Sequence, residues 1–254
     1  MNPLTLLFLC IAGFFAALID SIAGGGGLIS IPAFIMAGVP PHFTLGTNKF
    51  AATFNSLTSS IRYIQENKIN KNLLLVLIPF TFIGAWAGVR LVIEIPTMYL
   101  SFIITIMILL VGVYTLLKKN LGMRNQPFDL TPARWMSSIL IALIIGFYDG
   151  FFGPGTGSFL MFMFIKLFGL DFLRAAGNAR VLNFISNAIS LVLFAIHGKI
   201  LYAVGLPVGI AMMLGALVGS KIAFRKGAGL VRPIFIIITF LAAAKVLFDI
   251  LSYG

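Results

Sequence analysis

Runs of about 20 apolar residues follow one another along almost the whole chain, and each is long enough to span a bilayer as a helix. No other feature constrains the fold as strongly. Charged residues make up 10% of the sequence, whereas soluble domains carry about 25%. The mean hydropathy is +1.07. The sequence therefore predicts an all-α polytopic membrane protein.

Cysteine usage and charge exclude several function classes. Cys10 is the single cysteine and lies in an apolar run, so we expect no disulfide framework, no metal site of cysteines and no cofactor. The net charge of +11 comes mostly from basic residues in short loops. That placement is typical of residues that orient the chain and contact membrane lipids, and it argues against nucleic acid as a partner. Residues 1–23 lack the basic start of a signal peptide, and we treat them as part of the fold.

The chain consists of two copies of one unit. Residues 46–69 align with residues 177–200 at an offset of 131 positions, so that Lys49 meets Arg180. The same offset pairs GAWAGVR, which begins at Gly84, with GALVGSK. The two glycines in each of these motifs have the spacing of helix-packing faces in membranes.

Each copy divides into five apolar segments, the second of which is short. At about 11 or 12 residues it reaches only about halfway through the hydrocarbon core, and glycines join it to its predecessor. We therefore expect a half-helix or re-entrant element in each copy. The predicted domains are a first repeat at 1–118, a linker at 119–132 and a second repeat at 133–254. The predicted segments are 4–21, 27–37, 44–65, 73–93, 97–117, 133–151, 157–168, 172–196, 201–221 and 232–251.

Basic residues in the loops predict the topology. They concentrate after the third segment, in the linker and after the ninth segment, which places residues 118–134 in the cytoplasm. Five segments per copy then put both termini outside and invert the two copies relative to each other. Inverted repeats whose broken helices meet near the midplane are typical of secondary transporters.

Two glycine-rich turns precede the short segments and are candidates for a substrate site. Irregular backbone at membrane depth is tolerated only where it is buried in protein or lines a cavity. Glycine amides and the N-terminus of the following helix can hold an anion. The alternative is close packing between helices. The candidate residues are Gly25, Gly26 and Gly27 in the first turn and Gly155, Thr156 and Gly157 in the second.

The third segment of each copy adds a cation and several amides. Lys49 and Arg180 can pair with an anion that enters from either side; the alternatives are snorkelling to headgroups or pairing with Asp171. The asparagines can bind substrate or join helices. The candidate substrate-binding residues are Thr47, Asn48, Lys49, Asn55, Asn178, Arg180 and Asn187.

Asp20 and Asp149 lie beside the two turns, where an ionised carboxylate would repel an anion. We expect them to be structural or proton-linked. Three interpretations are open: proton coupling, hydrogen bonds to the turn amides, or charge pairs with Lys49 or Arg180. A cation- or proton-coupled carrier that uses both aspartates is the main alternative function, and an anion channel is another. We expect no enzyme, because no Ser/His pairing or metal-ligand spacing is visible.

The motifs resemble those of the TauE/SafE family of sulfite exporters. The resemblance is carried by the first glycine turn, by GVPPHFTLGTNKF at 38–50 and by GxGxGSFL in the second copy, and it covers nearly the whole chain. The second copy departs from the pattern, because it lacks Pro-Pro and has Asn178 where threonine is usual. The resemblance implies a carrier in the cytoplasmic (inner) membrane of a prokaryote. Its implied substrates are small sulfur-containing anions such as sulfite or organosulfonates, which it exports.

Overall fold

The computed structural model describes residues 1–117 and 131–226, and within these ranges all regular secondary structure is helical. The tenth predicted segment and most of the predicted linker lie outside the described residues. Each of the other nine predicted segments is confirmed as a helix, with ends within a few residues of the prediction. The helices are α1 Pro3–Ala23, α2 Gly27–Met36, α3 Pro41–Gln65, α4 Lys71–Glu94, α5 Thr97–Leu117, α6 Pro132–Phe151, α7 Thr156–Phe168, α8 Phe172–Ile196 and α9 Tyr202–Lys226.

Four of the long helices begin at a residue whose side chain caps them. Asn2, Asn70, Thr131 and Asp171 each accept a hydrogen bond from a backbone N–H in the first turn of α1, α4, α6 and α8, respectively. A side-chain oxygen at this position satisfies one of the N–H groups that a helix N-terminus leaves without an intrahelical acceptor. The starts of these helices are therefore encoded locally.

The long and short helices confirm the predicted class of fold. Among the described residues, five helices are long and apolar enough to cross a membrane: α1, α4, α6, α8 and α9. In contrast, α2 has 10 residues and α7 has 13, so at 1.5 Å per residue they extend about 15 and 20 Å. Both are half-helices in the predicted positions, and the chain is an all-α polytopic membrane protein.

Glycine pairs bring helices of opposite copies into backbone contact. A methyl group on Gly84 of α4 would lie 2.2 Å from the carbonyl oxygen of Leu143 in α6. A methyl group on Gly215 of α9 would lie 2.1 Å from the carbonyl oxygen of Phe14 in α1. Each copy therefore packs its fourth helix on the first helix of the other copy. The prediction that these motifs are packing faces is confirmed.

Helices α3 and α8 run antiparallel at the centre of the bundle. A methyl group on Gly46, near the start of α3, would lie 2.2 Å from the carbonyl oxygen of Lys199, just beyond α8. A methyl group on Gly177, near the start of α8, would lie 2.3 Å from that of Lys68, just beyond α3. The end of the bundle where α1 begins and α8 ends is called the N-terminal side here, and the opposite end is the linker side. Inverted repeats require an antiparallel pair of this kind; the inverted repeat itself and its orientation in a membrane stay predictions.

Candidate functional site

The two glycine turns contact each other at the centre of the bundle. A methyl group on Gly24 would lie 2.3 Å from the backbone nitrogen of Ser158, and one on Gly27 would lie 3.0 Å from Cα of Pro154. The Ser158 hydroxyl donates to the carbonyl of Ala23 at 2.8 Å. Gly24 also has a φ of 81°, which favours glycine. Glycine is therefore required here because one turn lies directly on the other.

Asp20 accepts hydrogen bonds from three groups beside the first turn. Arg180 Nη1 donates to Oδ2 at 2.5 Å, and Asn55 Nδ2 donates to the same oxygen at 2.7 Å. The N–H of Gly26 donates to Oδ1 at 3.0 Å. Asp20 thus makes both a charge pair and a bond to a turn amide, which were two of its three predicted roles. The charge pair joins the first copy to the second.

Asp149 forms the equivalent pair in the opposite direction. Lys49 Nζ donates to its Oδ1 at 2.8 Å, and Asn183 Nδ2 donates to its Oδ2 at 3.1 Å. Lys49 Nζ also donates to Asn187 Oδ1 at 3.1 Å. Each cation of one copy therefore meets the aspartate of the other, so the ion pairs cross at the interface between the copies.

The alternative interpretations of Lys49 and Arg180 are wrong. Their exposed fractions are 3% and 0%, so neither side chain snorkels toward headgroups. Asp171 does not pair with either of them; it lies 3.7 Å from Arg174 Nε, three residues along the same helix. Lys49 and Asp149 are 100 residues apart along the sequence, and Arg180 and Asp20 are 160 residues apart. A buried charge needs a partner, and the fold supplies it here from the other copy.

A cavity of about 40 Å³ lies beside the crossed pairs. It has room for about three water-sized groups. The predicted site residues that line it are Asp20, Gly26, Gly27, Asn48, Lys49, Asn55, Asp149, Gly155, Gly157 and Asn187; Ala16, Ala17, Ser30, Ala52, Gly153, Asn183 and Met212 complete the wall. The structure thus brings most of the predicted residues of both copies around one cavity.

Five predicted site residues do not line this cavity. Thr47 Oγ1 accepts from the N–H of Leu201 at 3.0 Å, and Asn178 Oδ1 accepts from the N–H of Asn70 at 2.9 Å. These two equivalent side chains brace a loop of the opposite copy. Thr156 donates to the carbonyl of Gly153 within its own turn. The other two residues outside the lining are Gly25 and Arg180.

Ser30 and Asn183 line the cavity although neither was selected as a site residue. Ser30 Oγ donates to Asn48 Oδ1 at 2.6 Å. Asn183 follows Arg180 by three residues and precedes Asn187 by four, so helical periodicity places the three on one face. That spacing would have identified Asn183. Ser30 had the weaker signal of lying three residues after Gly27.

The two ion pairs and the cavity wall together carry no net charge and offer hydrogen-bond donors. Two cations face two carboxylates, yet several donors are unused. Arg180 Nε and Nη2 have no hydrogen-bond partner among the described residues. Within the same ranges, the backbone N–H groups of Gly27 and Gly157, at the starts of α2 and α7, donate to no protein acceptor. No group of three or more His, Cys, Asp or Glu in the described parts of the chain is arranged to hold a metal ion.

Comparison with known proteins identifies the family. The sequence model of the sulfite exporter TauE/SafE family matches residues 9–246. A probable membrane transporter protein of Sinorhizobium sp., ORF9, is 39% identical over 96% of this chain and 93% of its own length. One from Haemophilus influenzae is 38% identical over 98% of this chain and 96% of its own. The probable membrane transporter protein YfcA of Escherichia coli K12 is 37% identical over 100% and 93%.

No solved structure matches the chain. The relatives are named as membrane transporters, so the expectation of a transporter and not an enzyme is confirmed. The match runs through both copies, both glycine turns and both ion pairs. The chain belongs to the sulfite exporter TauE/SafE family of multi-pass membrane transporters.

Proposed function

We propose that the chain is a secondary carrier that exports small sulfur-containing anions, such as sulfite or organosulfonates, across the inner membrane of a prokaryote. The observation that carries this proposal is the cavity between the two glycine turns, which is lined by the buried ammonium group of Lys49. Small residues, amides and helix N-termini complete a space suited to a compact oxyanion. The name of the matching family supports the sulfur-containing class.

The ion pair of Lys49 gives a route for an anion to bind. An ammonium group has three donors, and Lys49 uses two of them, on Asp149 and Asn187. An oxyanion takes the third and competes with the Asp149 carboxylate for the others. In the empty carrier, Asp149 neutralises a cation that would otherwise be buried without a partner. The carboxylate thus holds the place of the substrate.

The membrane potential supplies the driving force in this proposal. An inside-negative potential favours outward movement of an anion by about 2.3 kcal/mol per charge per 100 mV. Export then needs no coupling ion. The rival carrier, which would bind cations at Asp20 and Asp149, has a weaker basis because each carboxylate is already paired with a cation.

Ligand-induced thermal stabilisation of the purified protein tests the proposal. Sulfite, sulfoacetate, sulfate and divalent cations are each added to the wild type and to Lys49→Gln. Lys71→Gln is the matched control, since Lys71 is an exposed residue at the start of α4. We expect sulfite or sulfoacetate to stabilise the wild type and the control but not Lys49→Gln. Stabilisation by cations alone would overturn the anion assignment.

A further inference from the structure

The two equivalent cations differ in their access to the cavity. Lys49 lines it, whereas Arg180 does not and is fully buried. The offset of 131 residues that relates the copies gives both cations the same position in their units. Open space therefore reaches Lys49 but not the equivalent cation Arg180.

Within the described residues, the Arg180 side chain, which extends from α8, has two N–H donors without an acceptor next to the start of α7. Its Nη1 is bonded to Asp20, but Nε and Nη2 have no partner among the described residues. A methyl group on Gly157 would lie 2.2 Å from Nη2, so the guanidinium lies against the first turn of α7. The Gly157 N–H has no protein acceptor there, within the ranges described. Asn55, which shares the Asp20 carboxylate, has an unpartnered Oδ1.

Unused donors of this kind indicate a ligand. A buried donor without an acceptor destabilises the fold, and a charged donor does so more strongly. The free Nε and Nη2 of a guanidinium form two parallel N–H bonds that match two oxygens of a sulfonate, a sulfite or another oxyanion. The N-terminus of α7 adds a backbone donor and the favourable end of a helix dipole.

Bulky apolar residues fill the space on the linker side. The cavity is lined by Ala16, one turn before Asp20, and by Ser30 in α2. Asp149 is the equivalent of Asp20 at an offset of 129, which makes Ile145 the equivalent of Ala16, and the offset of 131 makes Met161 the equivalent of Ser30. Both Ile145 and Met161 belong to one buried apolar cluster to which α4, α6, α7 and α8 contribute most of the residues. Large side chains therefore replace small ones where the second half-site would open.

We infer that Arg180 and the N-terminus of α7 form a second oxyanion subsite, which is closed in this structure and is reached from the linker side when the Ile145–Met161 seal opens. The inference rests on the proposed function and assigns one cation to each side of the membrane. The substrate loads onto Arg180 from the linker side, passes to Lys49 and leaves on the N-terminal side. The fork of Arg180 binds two oxygens at once, which favours capture on the loading side.

Side-specific transport kinetics test this assignment. Arg180→Lys and Lys49→Arg are reconstituted in oriented liposomes, and sulfite uptake is measured from each side. Impermeant thiol labelling of Lys71→Cys in a Cys10→Ser background establishes the orientation. Arg180→Lys loses a charge-assisted bond to the substrate on the linker side. We therefore expect the KM for sulfite uptake from the linker side to rise about tenfold, and the KM from the N-terminal side to change less than about twofold. Lys49→Arg should alter mainly the N-terminal side.

The outcomes separate this inference from the proposed function. Equal changes of KM on both sides in Arg180→Lys would overturn the second subsite but leave the carrier intact. Absence of anion flux in the wild type would overturn the proposed function itself.

A seal variant gives an independent test if Arg180→Lys does not assemble. Met161→Ser is combined with Ser186→Cys, a buried position on α8, in the Cys10→Ser background. The smaller serine should open the seal, so we expect impermeant thiol reagents added on the linker side to label this cysteine faster. The expected rate is about tenfold that of the Ser186→Cys, Cys10→Ser protein that retains Met161. Met136→Ser on the exposed face of α6 is the matched control. An unchanged labelling rate would contradict the seal.

Discussion

Asp20 of the first copy and Arg180 of the second form a buried ion pair at 2.5 Å, which holds the two halves of the molecule together at the glycine turns. The pair of Lys49 with Asp149 crosses it in the opposite sense at 2.8 Å. Both aspartates lie in the last turn of the helix that precedes a glycine turn. The four charges therefore join α1 and α6, which lead into the two turns, to α8 and α3 of the opposite copy.

Asp20→Asn should strongly destabilise the protein, because it leaves the Arg180 guanidinium without a counter-charge in a buried position. Removal of one partner of a buried pair costs about 3–5 kcal/mol. The measurement is the free energy of unfolding in detergent. Asp171→Asn is the control, since Asp171 is a partly exposed cap residue and asparagine caps a helix equally well. A loss in Asp20→Asn no larger than in this control would contradict the structural role of the pair.

Thr47→Ala and Asn178→Ala should lower stability without changing the affinity for substrate. Each side chain accepts one hydrogen bond from a loop of the opposite copy and lies outside the cavity lining. The loss of such a bond costs about 0.5–1.5 kcal/mol. Unfolding and the KM for anion transport are measured on the same preparations, with Thr47→Ser as the conservative control. A large rise in KM for the alanine variants, with near-normal stability, would instead indicate that both residues contribute to substrate binding.

Gly157→Ala should impair transport by displacing the Arg180 guanidinium. The added methyl group would lie 2.2 Å from Nη2 and 2.9 Å from Cα of Gly24, so the Arg180 side chain and the first glycine turn must both move. Gly198→Ala is the comparison, because a methyl group there meets no atom within 4 Å and only backbone strain at a φ of 62° is introduced. We expect anion flux to fall about tenfold in the first variant only. Equal flux in both folded variants would count against a role for that contact.

Gly215→Ala should separate α9 from α1. Its methyl group would lie 2.1 Å from a carbonyl oxygen of Phe14, and backbone cannot yield as a side chain can. Overpacking of this kind costs about 1–3 kcal/mol. The midpoint of thermal unfolding should fall, whereas Leu217→Ala on the exposed face of α9 should change it little. Similar midpoints in the two variants would mean that the helices do not depend on this glycine.

Most of the architecture could be predicted because it is encoded locally. Apolar runs and side-chain caps specify where the helices begin and end, and the brevity of α2 and α7 follows from run length. The Gly-x-x-x-Gly spacing marks faces that pack, since only small residues let backbones touch. The matched glycine turns indicated that both copies contribute to one site.

The contacts inside the site could not be predicted in the same way. The repeat alignment pairs Lys49 with Arg180, but it does not say which aspartate each cation meets. That choice depends on how the copies cross, which is a tertiary property. Thr47 shows the same limit: a polar residue two positions from Lys49 braces a loop because its helical direction points away from the cavity.

Anion efflux from liposomes at a set membrane potential tests the central claim most directly. Liposomes of the wild type, Lys49→Gln and the control Lys71→Gln are loaded with labelled sulfite or sulfoacetate. We expect wild-type and control efflux to be saturable and to rise with an inside-negative potential, and Lys49→Gln to be at least about tenfold slower. Efflux by a folded Lys49→Gln at the wild-type rate, or transport of cations in place of anions, would contradict it.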